Sequence, residues 1–424
     1  MRIAILALGS RGDVQPFIAL GLGLQAAGHS VRIAAAEDYG DLVRAYGLPF
    51  TPVGGSIRRL MDRALVYPVL TGGANPLPMV RAFRKGIQPF AERILTDCIR
   101  ACAGAECLVA GALGVFPGYS ISDALGLPCV VVHLHPDSPT RTMPHPFLPP
   151  LPRGVPGRGL YNRLTWPLGV GVLWHVLLGP INRARQQLGL PPLTLRGVAR
   201  HLSERGPVLC AYSPTLAPRP PDWATGLQIT GDWPLAAPPG WQPPPDLVRF
   251  LAAGPPPIYL SFGSILAGSD PDAVTALLVA ALALAGQRGL IASGWDDLGH
   301  IALPPTVLKV GSVPHDWLFP QVAAVVHHGG AGTTAATVRA GRPAVVVPFF
   351  GDQFFWAERL ARLGAAITLP RTHLTAARLT ADLRRVVGDP HLCARAAVLR
   401  RRVQGEAGVA QAVRVITECL VFSV

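Results

Sequence analysis

Apolar positions along this chain follow two periods in alternation. Residues 3–8 (IAILAL) form an unbroken apolar run, as expected of a parallel strand buried on both faces. Gly9-Ser10-Arg11-Gly12-Asp13 turns the chain, and from Pro16 to Ala27 apolar residues recur at helical spacing (Phe17, Leu20, Leu24). Gly28 closes that helix before a second strand, Val31 to Ala35. This strand, glycine turn, helix and strand open a doubly wound sheet. Strand-like runs recur at Cys107–Ala110 and Cys129–His133, the latter after helical Tyr119–Leu125. Between Pro136 and Pro192 the pattern breaks into proline-punctuated loops and apolar helix, an insertion that either walls an apolar pocket or supplies packing or oligomer surface. Its most apolar part, Leu164–Ile181, is interrupted by Pro167, Gly169, Gly171, His175 and Gly179 and reads as a buried or interfacial helix, not a membrane span.

After the stiff, proline-rich PLAAPPGWQPPP the pattern restarts. Strands are expected at Pro257–Leu260, Leu290–Ser293, Val307–Val310, Val322–Val326, Ala344–Val347 and Ala366–Leu369. Helices are expected at Pro271–Leu284, Thr337–Ala340 and Trp356–Leu363, then from Ala376, His391 and Gly408. The expected organisation is an α/β domain over 1–215, a linker over 216–250, a second α/β domain over 251–407 and a closing helix over 408–424.

Composition fits two globular domains: 424 residues, half of them apolar, 15% charged, with no polar low-complexity tract. The 44 prolines and 46 glycines lie between periodic segments, so they imply long ordered loops. The net charge of +13 admits an anionic partner, but no zinc-finger spacing or aromatic RNA-binding pattern accompanies it, so a nucleic-acid partner is not expected. Seven dispersed cysteines, an odd number, point to a reducing, cytoplasmic setting. Cys98, Cys102 and Cys107 lack metal spacing and read as buried thiols. The first ten residues read as a strand and not as a leader.

The chemistry-bearing stretch is HHGGAGTTAATVRAGRPAVVVPFFGDQ, His327 to Gln353. Gly329, Gly330 and Gly332 stand between a strand and a helix, where bare amides and the helix dipole favour phosphate. Thr333 and Thr334 add hydroxyls and His328 an imidazole. Asp352 and Gln353, a carboxylate beside an amide, suit sugar hydroxyls. A diphosphate site joined to a polyol site describes a nucleotide sugar. Asp13 either caps the first helix or acts as a base. His133 and His135, at a strand end, are rival bases or acceptor contacts, or are structural. Asp270-Pro271-Asp272 spells a metal-binding DxD, yet its proline and acids suit a helix start, so no metal is expected.

GSRGDVQP (9–16), Gly28-His29, SFGS (261–264), VPHDWLFPQ (313–321), HHGGAGTT (327–334) and PFFGDQ (348–353) occur in the order found in a known family. With them the chain resembles the two-Rossmann (GT-B) inverting UDP-glycosyltransferases, in the branch of sterol and vancomycin-type antibiotic glycosyltransferases. The resemblance implies two Rossmann-like domains facing across a central cleft. His328, Gly330, Gly332, Thr333 and Thr334, with Gly263 and Ser264, would hold the donor diphosphate. Val313 would meet the uracil or thymine, and Asp352 and Gln353 would read a hexose, glucose above others. Asp13 would be the general base, with Ser10, Arg11, His133 and His135 on the acceptor side. The implied activity is transfer of a hexose from UDP or dTDP to a hydroxyl of an apolar acceptor such as a sterol, terpenoid, polyketide or aromatic compound. It needs no cofactor beyond the nucleotide-sugar co-substrate. An epimerase of the same fold and a non-catalytic homologue are the alternatives. Peripheral membrane contact, and a monomeric or homodimeric state, stay open.

Overall fold

The computed structural model describes residues 1–56, 81, 90–145, 148, 150–152, 154–194, 197, 207–262, 270–292 and 300–421. The chain divides into two compact units. One is Met1–Leu65, Ala74–Leu235 and Ala407–Val424; the other is Val66–Gly73 and Ala236–Glu406.

The first unit is built on a parallel sheet of β1 (Arg2–Leu8), β2 (Ser30–Ala35), β3 (Phe50–Pro52), β4 (Cys107–Ala112), β5 (Cys129–His133), β6 (Val208–Cys210) and β7 (Leu227–Ile229). Their spatial order is β3-β2-β1-β4-β5-β6-β7. Every residue from Ile3 to Leu8 is buried, which is why β1 lacks the alternation of a half-exposed strand. The order reverses between β1 and β4, where Leu8 pairs with Ala112. β7 lies in the stretch expected to be linker, so the sheet runs past residue 215.

Helices of this unit include α1 (Arg11–Ala26), α2 (Ala91–Ala101), α3 (Val115–Leu125) and α4 (Arg158–Gln187). α1 begins five residues before the expected Pro16, which it carries in its interior. α4 runs through both Pro167 and Pro180. It seats Trp166 and Trp174 in the interior, the latter edge-on to Phe116 at 4.8 Å and stacked on Tyr119 at 6.0 Å. No helix among the described residues is long and apolar enough to cross a membrane.

The second unit holds β8 (Ile258–Ser261), β9 (Gly289–Ala292), β10 (Val307–Val310), β11 (Ala324–His327), β12 (Ala344–Val346) and β13 (Ala366–Thr368), all parallel, in the order β10-β9-β8-β11-β12-β13. Its helices include α5 (Pro271–Ala285), α6 (Ala331–Ala340) and α7 (Gln353–Arg362). The order reverses between β8 and β11, whose last residues, Ser261 and His327, are paired. Open α/β sheets bind ligands at the carboxyl ends of strands at such a reversal. The chain's last helix, α8 (Gly408–Val421), belongs to the first unit, where it packs on α1.

Asp270 accepts a hydrogen bond from the Asp272 amide at 3.0 Å, with Pro271 as the first helical residue of α5. The DxD sequence is therefore a helix cap. Among the described residues no cluster of three or more His, Cys, Asp or Glu could hold a metal ion.

Candidate active site

In the second unit, β11 delivers His327 and His328 to the edge where the sheet order reverses. His327 is fully buried, and its Nδ1 accepts the Gly329 N–H at 3.0 Å. That bond folds the turn tightly and assigns the imidazole proton to Nε2. Gly329 has a φ of 92°, and a β-carbon there would stand 2.9 Å from the carbonyl oxygen of Gln353. The glycine is thus required twice, by conformation and by close approach. The contact also joins the two stretches expected to form the donor site.

Gly330 is the N-cap of α6, which starts six residues before the expected Thr337. His328 lies against it, Nε2 standing 2.5 Å from the β-carbon that Gly330 lacks. Around Gly332 a β-carbon would meet nothing within 4 Å, so the backbone of the first turn is bare. The amides of this turn have no acceptor within the helix. Nδ1 of His328 and Oγ1 of Thr334 are buried with no hydrogen-bond partner among the described residues. Burial pushes the His328 imidazole down to about 4 and that of His327 down to about 3, so both are neutral near pH 7. Bare amides and buried polar atoms without partners, gathered at the positive end of a helix, suit a bound anion.

Asp352 and Gln353 open α7 beside this turn. The Gln353 side chain is buried, and its Oε1 accepts the amides of Phe349 (2.8 Å) and Phe350 (3.2 Å). Its oxygen therefore shapes the PFFGDQ loop, which leaves the amide nitrogen as the group to donate. Asp352 Oδ2 accepts the indole N–H of Trp356 at 3.1 Å, one turn on. Neither Trp356 nor His327 was expected to have a role of its own here; the first fixes the carboxylate and the second fixes the turn. Val313 is buried in the cluster that contains Ala336 of α6. Gly263 and Ser264 lie outside the described residues.

In the first unit, Asp13 is the third residue of α1, and its Oδ2 accepts both the amide (2.7 Å) and the hydroxyl (2.9 Å) of Ser10. Gly9 permits this fold-back, since a β-carbon there would stand 2.4 Å from Oδ2. Arg11 begins the helix and is half-buried. Tyr39, just past β2, is buried with its hydroxyl unpartnered among the described residues. Burial, then the charges of Asp13 and Asp38, raise its phenol well above the usual range, and Arg11 opposes this. Nothing in the residue pattern around Tyr39 signals that it shares an environment with Asp13.

His133 ends β5. Since Leu8 pairs with Ala112 and Gly111 with Val132, it stands at the same sheet edge, two strand spacings or about 10 Å from the end of β1. Its Nδ1 is 3.6 Å from Asp137 Oδ2, and His135 Nε2 is 4.0 Å from Oδ1. Burial would raise the Asp137 carboxyl, but the imidazoles of His135, His133 and His145 outweigh it and hold it below its ordinary value. Burial lowers His133. The structure therefore brings His133 and His135 together on Asp137, which was not singled out from sequence.

Two family models match the chain: the glycosyltransferase family 28 N-terminal domain over residues 3–113, and the erythromycin biosynthesis protein CIII-like C-terminal domain over 291–418. A sterol 3-beta-glucosyltransferase of Candida albicans is 35% identical over 99% of this chain. The chain belongs to the GT-B UDP-glycosyltransferase superfamily. A UDP-sugar-dependent glycosyltransferase 52 of Dictyostelium discoideum is 34% identical over the whole chain. This glycosyltransferase-family chain spans little over a quarter of the length of these curated relatives, 28% and 26%. Among solved structures, the glycotransferase of kitacinnamycin superposes with a TM-score of 0.70 at 21% identity, covering 99% of both chains. The Streptomyces sp. SF2575 glycosyltransferase SsfS6, solved with thymidine diphosphate, gives 0.63 at 21%, also with 99% of both chains covered. These likenesses show a shared GT-B fold.

Proposed function

We propose that this protein transfers a hexose, glucose foremost, from a uridine or thymidine diphosphate donor to a hydroxyl of an apolar small molecule of sterol or natural-product type. The observation that carries it is the turn from β11 into α6, where bare amides, His328 Nδ1 and Thr334 Oγ1 meet the Asp352-Gln353 loop. This set accepts a diphosphate without a metal, because the amides and hydroxyls neutralise the charge that develops on the leaving group. Asp352 and the Gln353 amide nitrogen hold sugar hydroxyls. Asp13 takes the proton of the acceptor hydroxyl as that oxygen bonds to the anomeric carbon. The bond from the anomeric carbon to the diphosphate oxygen breaks, its electron pair leaves with the nucleoside diphosphate, and the configuration inverts. Sterol 3-beta-glucosyltransferases at 35% and 34% identity support the apolar acceptor and the glucose.

The test is a panel of UDP- and dTDP-sugars against sterols, terpenoids, polyketides and phenols, read by mass spectrometry, with the product anomer assigned by NMR. An α-linked donor is expected to yield a β-linked product. Retained configuration would overturn the inverting mechanism. Nucleotide-sugar binding without turnover on any acceptor would overturn the enzymatic reading.

A further inference from the structure

α4 has one face in the interior and one that nothing within the described chain covers. On the side away from Trp166, Leu160, Leu164 and Leu168 remain 59%, 54% and 63% exposed. Their spacing of four puts them on one ridge. Single exposed leucines are ordinary, but three in a row on a helix mark an interaction surface. Val155, in the turn before the helix, is exposed as well.

Charge decides the partner. Residues 138–203 contain eight arginines and no aspartate or glutamate. Arg163, between the first two leucines, is exposed. Arg141 is exposed and packs against Gly159, beside Leu160. Arg158, half-buried, opens the helix. Asp222 brings one negative charge to this side, its carboxylate accepting the Arg141 amide at 2.7 Å and the Thr140 hydroxyl at 2.7 Å. The arginines still outnumber it. A second copy of the same face would bring arginine against arginine, whereas an anionic surface satisfies leucines and cations together.

We propose that this face of α4 lies in the interfacial layer of an anionic lipid bilayer. Leu160, Leu164 and Leu168 enter among the acyl chains, and Arg141, Arg158 and Arg163 meet headgroup phosphates. The consequence for activity rests on the apolar-acceptor reading: a chain docked this way can draw its acceptor from the bilayer. The docking itself does not depend on that reading.

The experiment is co-sedimentation of the intact chain, without substrate, with vesicles of phosphatidylcholine alone or mixed equally with phosphatidylglycerol. Binding is expected to the mixed vesicles only and to weaken with salt. Leu164→Ser with Leu168→Ser should lower partitioning about tenfold. Arg163→Glu should lower it by a similar factor. These side chains are exposed, so melting temperature should not change, and turnover of a detergent-dispersed acceptor should match the wild type. Wild-type protein that stays in the supernatant, or variants that bind as well as wild type, would overturn the proposal. A dimer abolished by the leucine substitutions while vesicle binding persists would assign the face to a second copy instead. Absence of turnover in the wild type would count against the enzymatic reading and leave the vesicle result intact.

Discussion

Both contacts from Ser10 reach the same oxygen of Asp13, Oδ2. They cap the helix and also fix the carboxylate rotamer. Capping and proton transfer are therefore compatible roles for one residue. Asp13→Asn keeps much of the cap and removes the base, so kcat should fall by about 10²–10⁴-fold. UDP affinity, measured by calorimetry, should be unchanged, because the proposed diphosphate contacts lie in the second unit. Full activity would remove Asp13 from the mechanism. Asp13 stood out in the sequence because it lies in GSRGDVQP; Tyr39 did not, because only the pairing of β1 with β2 brings it near. Likewise Asp137 became visible as a partner of His133 and His135 only once the chain after β5 was seen to turn back.

At the level of the element, the turn from β11 into α6 depends on one glycine and two neutral imidazoles. Gly329→Ala meets both a left-handed φ and the Gln353 carbonyl, and should destabilise the second unit by about 1–3 kcal/mol, read as a lower melting temperature. His327 and His328 titrate at about 3 and about 4 in the folded chain, below the ordinary 6.5. Between about 6.5 and about 4 the unfolded chain binds protons that the folded one does not, so stability falls as pH falls through that window. Melting temperatures followed across it should drop, and the drop should be shallower in His328→Gln; equal slopes would show that His328 is not held neutral. The buried strands that lie in unbroken apolar runs such as IAILAL were legible. Three residues carry no period: β12 and β13 were legible only from the apolar runs around them, whereas β3 (FTP) and β7 (LQI) are each broken by a polar residue, and β6 was missed as well. The first turns of α1 and α6 were missed for another reason. Glycine and threonine give weak helical propensity, and in α1 Pro16 looked like a start, although it sits inside the helix.

On the scale of the whole molecule, the first unit is discontinuous: the chain leaves it at Leu235 and re-enters at Ala407 with α8. α8 packs on α1, the helix that holds Asp13. A β-carbon at Gly23 would stand 2.5 Å from Val409, and His29 Nε2 is 3.1 Å from the Thr417 hydroxyl. Ala412, Val415 and Ile416 are buried there. Removing residues 408–424 uncovers this face, and the burial of Val415 and Ile416 alone is worth about 3–6 kcal/mol. The truncated chain should therefore show a large fall in the melting of the first unit and lose turnover. Its second unit keeps the β11–α6 turn, so UDP at a hundred times its dissociation constant should still stabilise that unit by about 2.7 kcal/mol. Scanning calorimetry with and without UDP separates the two effects. Gly23→Val, which overpacks the same contact at a cost of about 1–3 kcal/mol, should move the first unit in the same direction by less. If truncation instead abolished the UDP shift and left the first unit's melting unchanged, α8 would have to be assigned to the donor site and not to the support of α1.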